Sequence, residues 1–210
     1  MALELIDINF EYEGINFTDI NLSFFPGKIY GIVCNNKYIR IQLAQIMAGI
    51  RQPISGEVKY NDDLVDTYNL LKNAGVAIGN PQFIDNLTIY DNLKLLGMIN
   101  NVSKDTILDL MGKYELDFDD KTKFQFVALE EASKAYVIQA LMENPDLIIL
   151  DEIVVCFDKI DRELFTEHMT QLRNEGKTII LLESHHFNIY KFCDVMLKVE
   201  NDEVIEYEFQ

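Results

Sequence analysis

One strand–loop–helix unit constrains the fold of this chain more than any other stretch. Residues Lys28–Val33 form an apolar run that is typical of a buried β-strand. After a short loop, apolar side chains recur with helical spacing at Ile39, Leu43, Ile46, Met47 and Ile50. A strand that leads through a loop into a helix is the setting of a phosphate-binding loop. The stretch Gly31–Leu43 therefore predicts an α/β fold organised around such a loop.

The length, net charge and cysteine content limit the partners and the compartment that we expect for this chain. The 210 residues suffice for one ordinary domain with its own core. The net charge of −17 argues against nucleic acid and anionic membrane surfaces as direct partners. The three cysteines, Cys34, Cys156 and Cys193, lack the spacing of metal ligands, which predicts small apolar fillers in a reducing compartment. We therefore expect a cytoplasmic chain with neither a signal peptide nor a membrane span.

The N-terminal part of the chain predicts antiparallel strands. Residues 3–10 and 15–25 read as two strands of a hairpin, and residues 57–60 read as another short strand. Residues 64–74 have a helical pattern, and Gly75–Ile78 have the composition of a buried strand.

The remainder alternates between helices and strands. Residues 88–143 are predicted to be mostly helical, with Thr88 and Ser103 as N-caps. The continuous apolar run Leu147–Leu150 is typical of a parallel strand covered on both faces. The pattern then predicts a helix near 160–175, a strand at 178–182, a short helix near 186–192 and two C-terminal strands.

The order of these landmarks resembles one family. The matching stretches are Gly27–Gly31, Pro53–Val58, Phe83–Leu93, Asn144–Glu152 and Gly176–His185. Together they resemble the ATP-binding cassette of ABC transporters, especially the short cassettes of bacterial peptide and bacteriocin export or immunity systems. The resemblance covers nearly the whole chain and implies a single domain over 1–210. Its RecA-like P-loop NTPase core would comprise 1–82 and 144–210, including the antiparallel β part, with an inserted helical subdomain at 83–143.

The phosphate loop departs from the family pattern. Where the family has glycines whose bare backbone cradles phosphates, this chain has Cys34, Lys37 and Ile39. Arg40 stands at the position of the phosphate-binding lysine, and Ile41 replaces the hydroxyl that holds Mg²⁺. Each lost charge-assisted contact weakens binding by about 1.5–3 kcal/mol. The resemblance therefore implies a degenerate Walker A motif.

Arg40 has two possible roles. It could bind phosphate, or it could pair internally with Asp151 or another acid, and we expect the internal pair. Tyr12 is the family's candidate for stacking on adenine, although Phe10 competes and a half-buried strand aromatic explains either residue. The nucleotide-contacting positions implied by the resemblance are Tyr12, Asn36, Lys37, Arg40 and Gln42.

The catalytic positions of the family are better preserved. Asp151 and Glu152 end the apolar strand as the Walker B pair does, so Asp151 would order Mg²⁺ and Glu152 would polarise the attacking water. His185 follows the strand at 178–182, where the family's switch histidine contacts the γ-phosphate. These roles are implied by the resemblance and could be vestigial in this chain.

The signature motif has changed in character. At its position stand Ala128, Leu129, Glu130 and Glu131, so the hydroxyl is absent and carboxylates would face a partner's nucleotide. The alternative reading is ordinary capping of a helix N-terminus by acidic residues.

Two shorter motifs complete the comparison. The Q-loop position falls either on Gly79, which we favour, or on Gln82 in a shortened loop. The D-loop keeps its aspartate as Asp158.

These features predict a cassette subunit that has lost most or all ATP hydrolysis. Its partners would be an integral membrane permease and either an active cassette subunit or a second copy of itself, with no nucleic acid. It would lie in the cytoplasm, at the inner face of the membrane, with no tightly bound cofactor. A weak ATPase using ATP and Mg²⁺ at a non-standard site is one alternative. A soluble binding module that works without a permease is the other.

Overall fold

The computed structural model describes residues 3–65, 74–79, 83–200 and 203–207. Within these ranges the chain forms two β-sheets and five α-helices, in the expected α/β class. None of the helices in the described ranges is both long enough and apolar enough to cross a bilayer.

The smaller sheet is antiparallel, and its strands are β1 (Leu3–Tyr12), β2 (Ile15–Phe24), β4 (Ser55–Tyr60) and β5 (Asp63–Val65). Their order in the sheet is β2-β1-β4-β5. The hairpin between β1 and β2 that the sequence predicts is confirmed.

The strands of the larger sheet are β3 (Lys28–Val33), β6 (Ala74–Ala77), β7 (Leu147–Asp151), β8 (Thr178–Glu183), β9 (Val195–Glu200) and β10 (Glu203–Glu206). Their order in the sheet is β10-β9-β3-β8-β7-β6. All neighbours are parallel except β9 and β10. The carboxyl ends of β3, β6, β7 and β8 therefore meet at one edge, which is where open α/β sheets bind ligands.

The helices begin at recognisable caps. They are α1 (Lys37–Met47), α2 (Ile89–Asn100), α3 (Lys104–Lys113), α4 (Leu129–Leu141) and α5 (Lys159–Asn174). The predicted N-caps are confirmed, because the hydroxyls of Thr88 and Ser103 each accept a hydrogen bond from an amide in the first turn of α2 and α3.

The larger sheet is covered on both faces. Successive side chains of β8 point to opposite sides: Ile180 and Leu182 pack with α1 and the antiparallel sheet, whereas Ile179 and Leu181 pack with α4 and α5. This two-sided burial explains why the strand sequences are continuous apolar runs.

Two predicted elements were wrong in part. Leu64 and Val65, the first residues of the helix expected at 64–74, belong to strand β5 instead, because Asn61 and Asp62 take positive φ angles of 56° and 68° and close a two-residue hairpin onto β4. Residues 66–73 lie outside the described residues, and Ala74 begins β6. The short helix expected near 186–192 is a single 3₁₀ turn at His186–Asn188.

Candidate functional site

The predicted phosphate loop lies at the carboxyl edge of β3, but it is short. Helix α1 begins at Lys37, and Asn36 is its N-cap. The side-chain Oδ1 of Asn36 accepts hydrogen bonds from the amides of Tyr38 (3.0 Å) and Ile39 (3.3 Å). A phosphate loop presents such amides to its ligand. Here the cap uses two of them within the chain.

Arg40 leaves the first turn of α1 and is buried, with 1% of its surface exposed. Its Nε lies 2.5 Å from Asp151 Oδ1, its Nη1 donates to the carbonyl of Cys34 at 3.1 Å, and its Nη2 lies 3.4 Å from Glu152 Oε2. The internal pairing with Asp151 that the sequence predicts is confirmed. The guanidinium thus contacts both carboxylates of the Walker B positions.

Asp151 ends β7 and is also buried. Its Oδ2 accepts a hydrogen bond from the amide of Gly79 at 3.1 Å, so both carboxylate oxygens have partners within the chain. Burial raises the pKa of the Asp151 carboxyl, while Arg40 and the Gly79 amide favour the ionised form. The carboxylate is held as one half of an internal ion pair.

Glu152 has an unusual backbone. Its φ of 55° lies in the left-handed region, which residues other than glycine rarely adopt. Its Oε1 accepts a hydrogen bond from the amide of Ser184 at 2.7 Å, and the side chain remains 31% exposed. Residue Ser184 directly precedes His185, which is exposed at the end of β8. The structure therefore brings the positions of Glu152 and His185 to the same edge.

Gly79 and Ile41 meet beside this network. Gly79 has a φ of 66°, and a Cβ at this position would lie 3.7 Å from the Cδ1 of Ile41. Gly79 therefore contributes its backbone amide to Asp151, with no side chain toward the edge. The alternative Q-loop residue, Gln82, lies outside the described residues.

The remaining nucleotide positions form contacts within the protein. The ring of Tyr12 stacks on that of Tyr38, with centroids 5.5 Å apart and planes 14° apart. Phe10 is buried against Phe17, so it serves the core of the antiparallel sheet. Gln42 is buried and donates to the carbonyl of Glu11 at 3.1 Å, which ties α1 to β1. Lys37 is exposed at the first position of α1.

The signature position is the N-terminus of α4. Leu129 begins the helix and is 69% exposed, and the amide of Ala128 donates to the side chain of Glu131 at 3.4 Å. Acidic side chains are favourable in the first turn of a helix. The capping role that the sequence offered as an alternative is therefore present.

A cluster of three acidic side chains lies between the N-termini of α4 and α5. Asp158 is the N-cap of α5 and accepts a hydrogen bond from the amide of Asp161 at 2.9 Å. Glu130 lies near Asp158 and Asp161, and its pKa is raised by its hydrogen bond with Asp161. The ammonium of Lys134 lies 2.6 Å from Asp161 and 3.6 Å from Glu130, so a cation of the chain already balances the cluster.

Sequence reasoning missed one buried acid at this edge. Glu183 ends β8 with 1% of its surface exposed, and it accepts hydrogen bonds from the amide of Val154 (2.8 Å) and the side chain of Asn188 (3.3 Å). Burial raises its pKa to about 8. The signal in the sequence was a carboxylate that follows directly on the apolar run 179–182.

The residues at this edge do not fit Mg²⁺–ATP in the usual way. Mg²⁺ needs oxygen ligands in octahedral geometry, but Ile41 offers none and Asp151 is paired with Arg40. The amides that would face phosphate are partly capped by Asn36. The arrangement is that of an internal ion-pair network.

Comparison with known proteins agrees with this architecture. Residues 17–155 match the family model described as ABC transporter. The chain is 26% identical over 185 residues to the uncharacterized ABC transporter ATP-binding protein YybJ of Bacillus subtilis, covering 87% of this chain and 85% of that protein. It is 28% identical over 167 residues to the lantibiotic transport ATP-binding protein SrtF of Streptococcus pyogenes, covering 80% of this chain and 72% of that protein.

Solved structures show the same fold. The dimeric structure of a bacterial ABC transporter cassette superposes with a TM-score of 0.83 at 19% identity, over 99% of each chain. The expected RecA-like P-loop NTPase core, with its antiparallel β part and inserted helices, is thereby confirmed as the fold.

Proposed function

The chain belongs to the ABC transporter family, as an ATP-binding cassette, and we propose that it is a non-hydrolysing subunit that serves a permease structurally or as a regulator. The observation that carries this proposal is the position of Arg40 across Asp151 and Glu152. A buried cation that contacts both carboxylates substitutes for the charge that a metal ion would otherwise supply. The frame of the cassette is intact while its phosphate-contacting positions are altered.

The loss of nucleotide affinity follows from several contacts together. Ile39 stands where the family has a glycine, Ile41 stands where it has the hydroxyl that holds Mg²⁺, and Asn36 caps two amides. At about 1.4 kcal/mol per decade, losing three contacts of about 1.5–3 kcal/mol each weakens binding at least about a thousandfold. The stack of Tyr12 on Tyr38 further occupies one face of the aromatic ring implied for adenine.

The partners follow from the family frame. We propose a core at 1–82 and 144–210 and a helical arm at 83–143, with a cytoplasmic segment of a permease docked between them. A second cassette, either an active subunit or another copy of this chain, would face the N-terminus of α4. The lantibiotic transport relative supports a peptide export or immunity system as the setting. The chain would then lie at the inner face of the membrane through its permease.

Two measurements test this function. Turnover of Mg-ATP by the purified chain should equal that of the Glu152→Gln variant, because neither hydrolyses ATP. Micromolar Mg-ATP binding with turnover that Glu152→Gln abolishes would contradict the proposal and favour a weak ATPase.

A pull-down from detergent-solubilised membranes should recover an integral membrane protein. Recovery of none would favour a permease-independent binding module.

A further inference from the structure

A cavity of about 540 Å³ lies between helix α5 and the segment that follows β8. Its volume falls within the range of small-molecule sites, about 300–1,000 Å³. One face of α5 supplies Lys159, Arg162, Glu163, Thr166 and Glu167, which recur with helical spacing. The opposite wall is the aromatic-rich segment Phe187–Phe192.

Arg162 supplies a fixed cation in the wall of the cavity. Its Nη2 donates to the carbonyl of Phe157 at 3.1 Å, which holds the guanidinium in place. A guanidinium that is held in place and lines a cavity is suited to an acidic group of a ligand.

The charged side chains around the cavity indicate the net charge of the ligand that it would bind. Lys159 and Glu163 lie 3.8 Å apart and balance each other at its exposed rim. That leaves Arg162 and Lys191 as cations against Glu167 as an anion. The balance of one positive charge matches a ligand with a single acidic group. This is notable in a chain whose net charge is −17, because the surroundings repel anions elsewhere.

The aromatic wall defines the rest of the ligand. Phe187 is 69% exposed, and Phe192 packs edge-on against Phe165 of α5, which anchors that end of the wall to the core. Such rings offer apolar contact and stacking to a planar group. We propose that this cavity binds a small molecule that carries one acidic group on an apolar, ring-bearing body. The site is separate from the nucleotide positions and does not depend on whether the chain hydrolyses ATP.

Two probes that differ only in the acidic group test this proposal. The first is 8-anilino-1-naphthalenesulfonate, and the second is N-phenyl-1-naphthylamine, which has the same rings without the sulfonate. The sulfonate should bind the wild-type chain saturably in a fluorescence titration. Arg162→Met should weaken it at least about tenfold, because it removes the fixed cation. This variant should not change binding of the neutral amine.

A gain of affinity separates recognition from loss of folding. Glu167→Gln removes the anion that opposes the ligand, so it should tighten sulfonate binding about twofold to fivefold. Phe187→Ala should weaken both probes. The matched controls Lys104→Met and Phe126→Ala change an exposed cation and an exposed ring outside the cavity, and they should leave both titrations unchanged. If the controls match the cavity variants, or if Glu167→Gln and Arg162→Met leave sulfonate binding unaltered, the proposal is wrong.

Discussion

Arg40 and Asp151, 111 residues apart in sequence, form an ion pair whose Nε–Oδ1 distance is 2.5 Å and whose side chains are 2% and 1% exposed. The pair joins the first turn of α1 to the end of β7, the two places where a working cassette would hold phosphate and metal. Glu152 extends it as a third member at 3.4 Å. The network is both a structural clamp and the reason for the proposed loss of catalysis.

Removing the cation should destabilise the fold strongly. Arg40→Met leaves Asp151 buried without its partner, and breaking one side of a buried pair costs about 3–5 kcal/mol. Urea denaturation measures the change in the free energy of unfolding. The matched control is Lys59→Ala, which breaks the exposed pair with Glu57 and should cost less than about 1 kcal/mol. Equal losses in the two variants would show that Arg40 does not clamp the edge.

Restoring the phosphate loop should restore nucleotide binding. The combined variant Lys37→Gly, Ile39→Gly, Arg40→Lys and Ile41→Ser returns bare backbone, a point charge and a hydroxyl to the positions that the family uses. We expect its affinity for Mg-ATP to exceed that of Arg40→Lys alone at least about tenfold, as two or more contacts are regained. Circular dichroism checks that both variants remain folded. No gain over Arg40→Lys would mean that the loop does not limit binding.

The sequence predicts the parts of this site that depend on local pattern. The strand–loop–helix unit, the N-caps Thr88 and Ser103, and the charge pairing of Arg40 with Asp151 all follow from residue order and chemistry. The cap by Asn36 could also have been read, because asparagine before an apolar helical pattern is a common N-cap.

Other features depend on contacts that no local pattern encodes. Glu152, which has a left-handed backbone, makes two hydrogen bonds to the neighbouring strand β8 and the residue after it. Its amide donates to the carbonyl of Leu182, and its side chain accepts from the amide of Ser184. The buried state of Glu183 likewise depends on the amide of Val154, 29 residues earlier. The strand conformation of Leu64 and Val65 likewise depends on pairing with β4 through the hairpin at Asn61 and Asp62.

Glu183 should make stability fall as pH rises from about 4.5 to about 8. Its pKa is raised by burial from 4.5 to about 8, so in this window the folded chain keeps a proton that the unfolded chain has lost. The free energy of unfolding then decreases by up to about 1.4 kcal/mol per pH unit. Glu183→Gln should remove this slope and be more stable than wild type at pH 8.

Urea denaturation at pH 6.5, 7.25 and 8 measures how the free energy of unfolding changes with pH because of Glu183. Glu115→Gln, an exposed glutamate, is the control and should follow the wild-type curve. If the wild type and Glu183→Gln have parallel curves across this range, the buried acid does not keep its proton.

His168 should make the free energy of unfolding fall as pH decreases, which is the opposite of the effect of Glu183. Its Nδ1 lies 2.8 Å from the hydroxyl of the buried Tyr114, and burial lowers its pKa from 6.5 to about 4. Between these values the unfolded chain binds a proton that the folded chain does not, so stability is lost as pH falls. The difference in free energy of unfolding between wild type and His168→Gln should shrink from pH 7 to pH 4.5. A constant difference would contradict this, and His185→Gln at the exposed histidine is the control.

Isothermal titration calorimetry of the full chain with Mg-ATP tests the central claim most directly. The account predicts no heat beyond dilution at ATP concentrations up to about a millimolar, since losing several phosphate contacts weakens binding about a thousandfold. The restored-loop variant, titrated under the same conditions, serves as the positive control. One-to-one binding to the wild type with a micromolar Kd, lost in Arg40→Ala, would mean that Arg40 holds the nucleotide and would contradict the account.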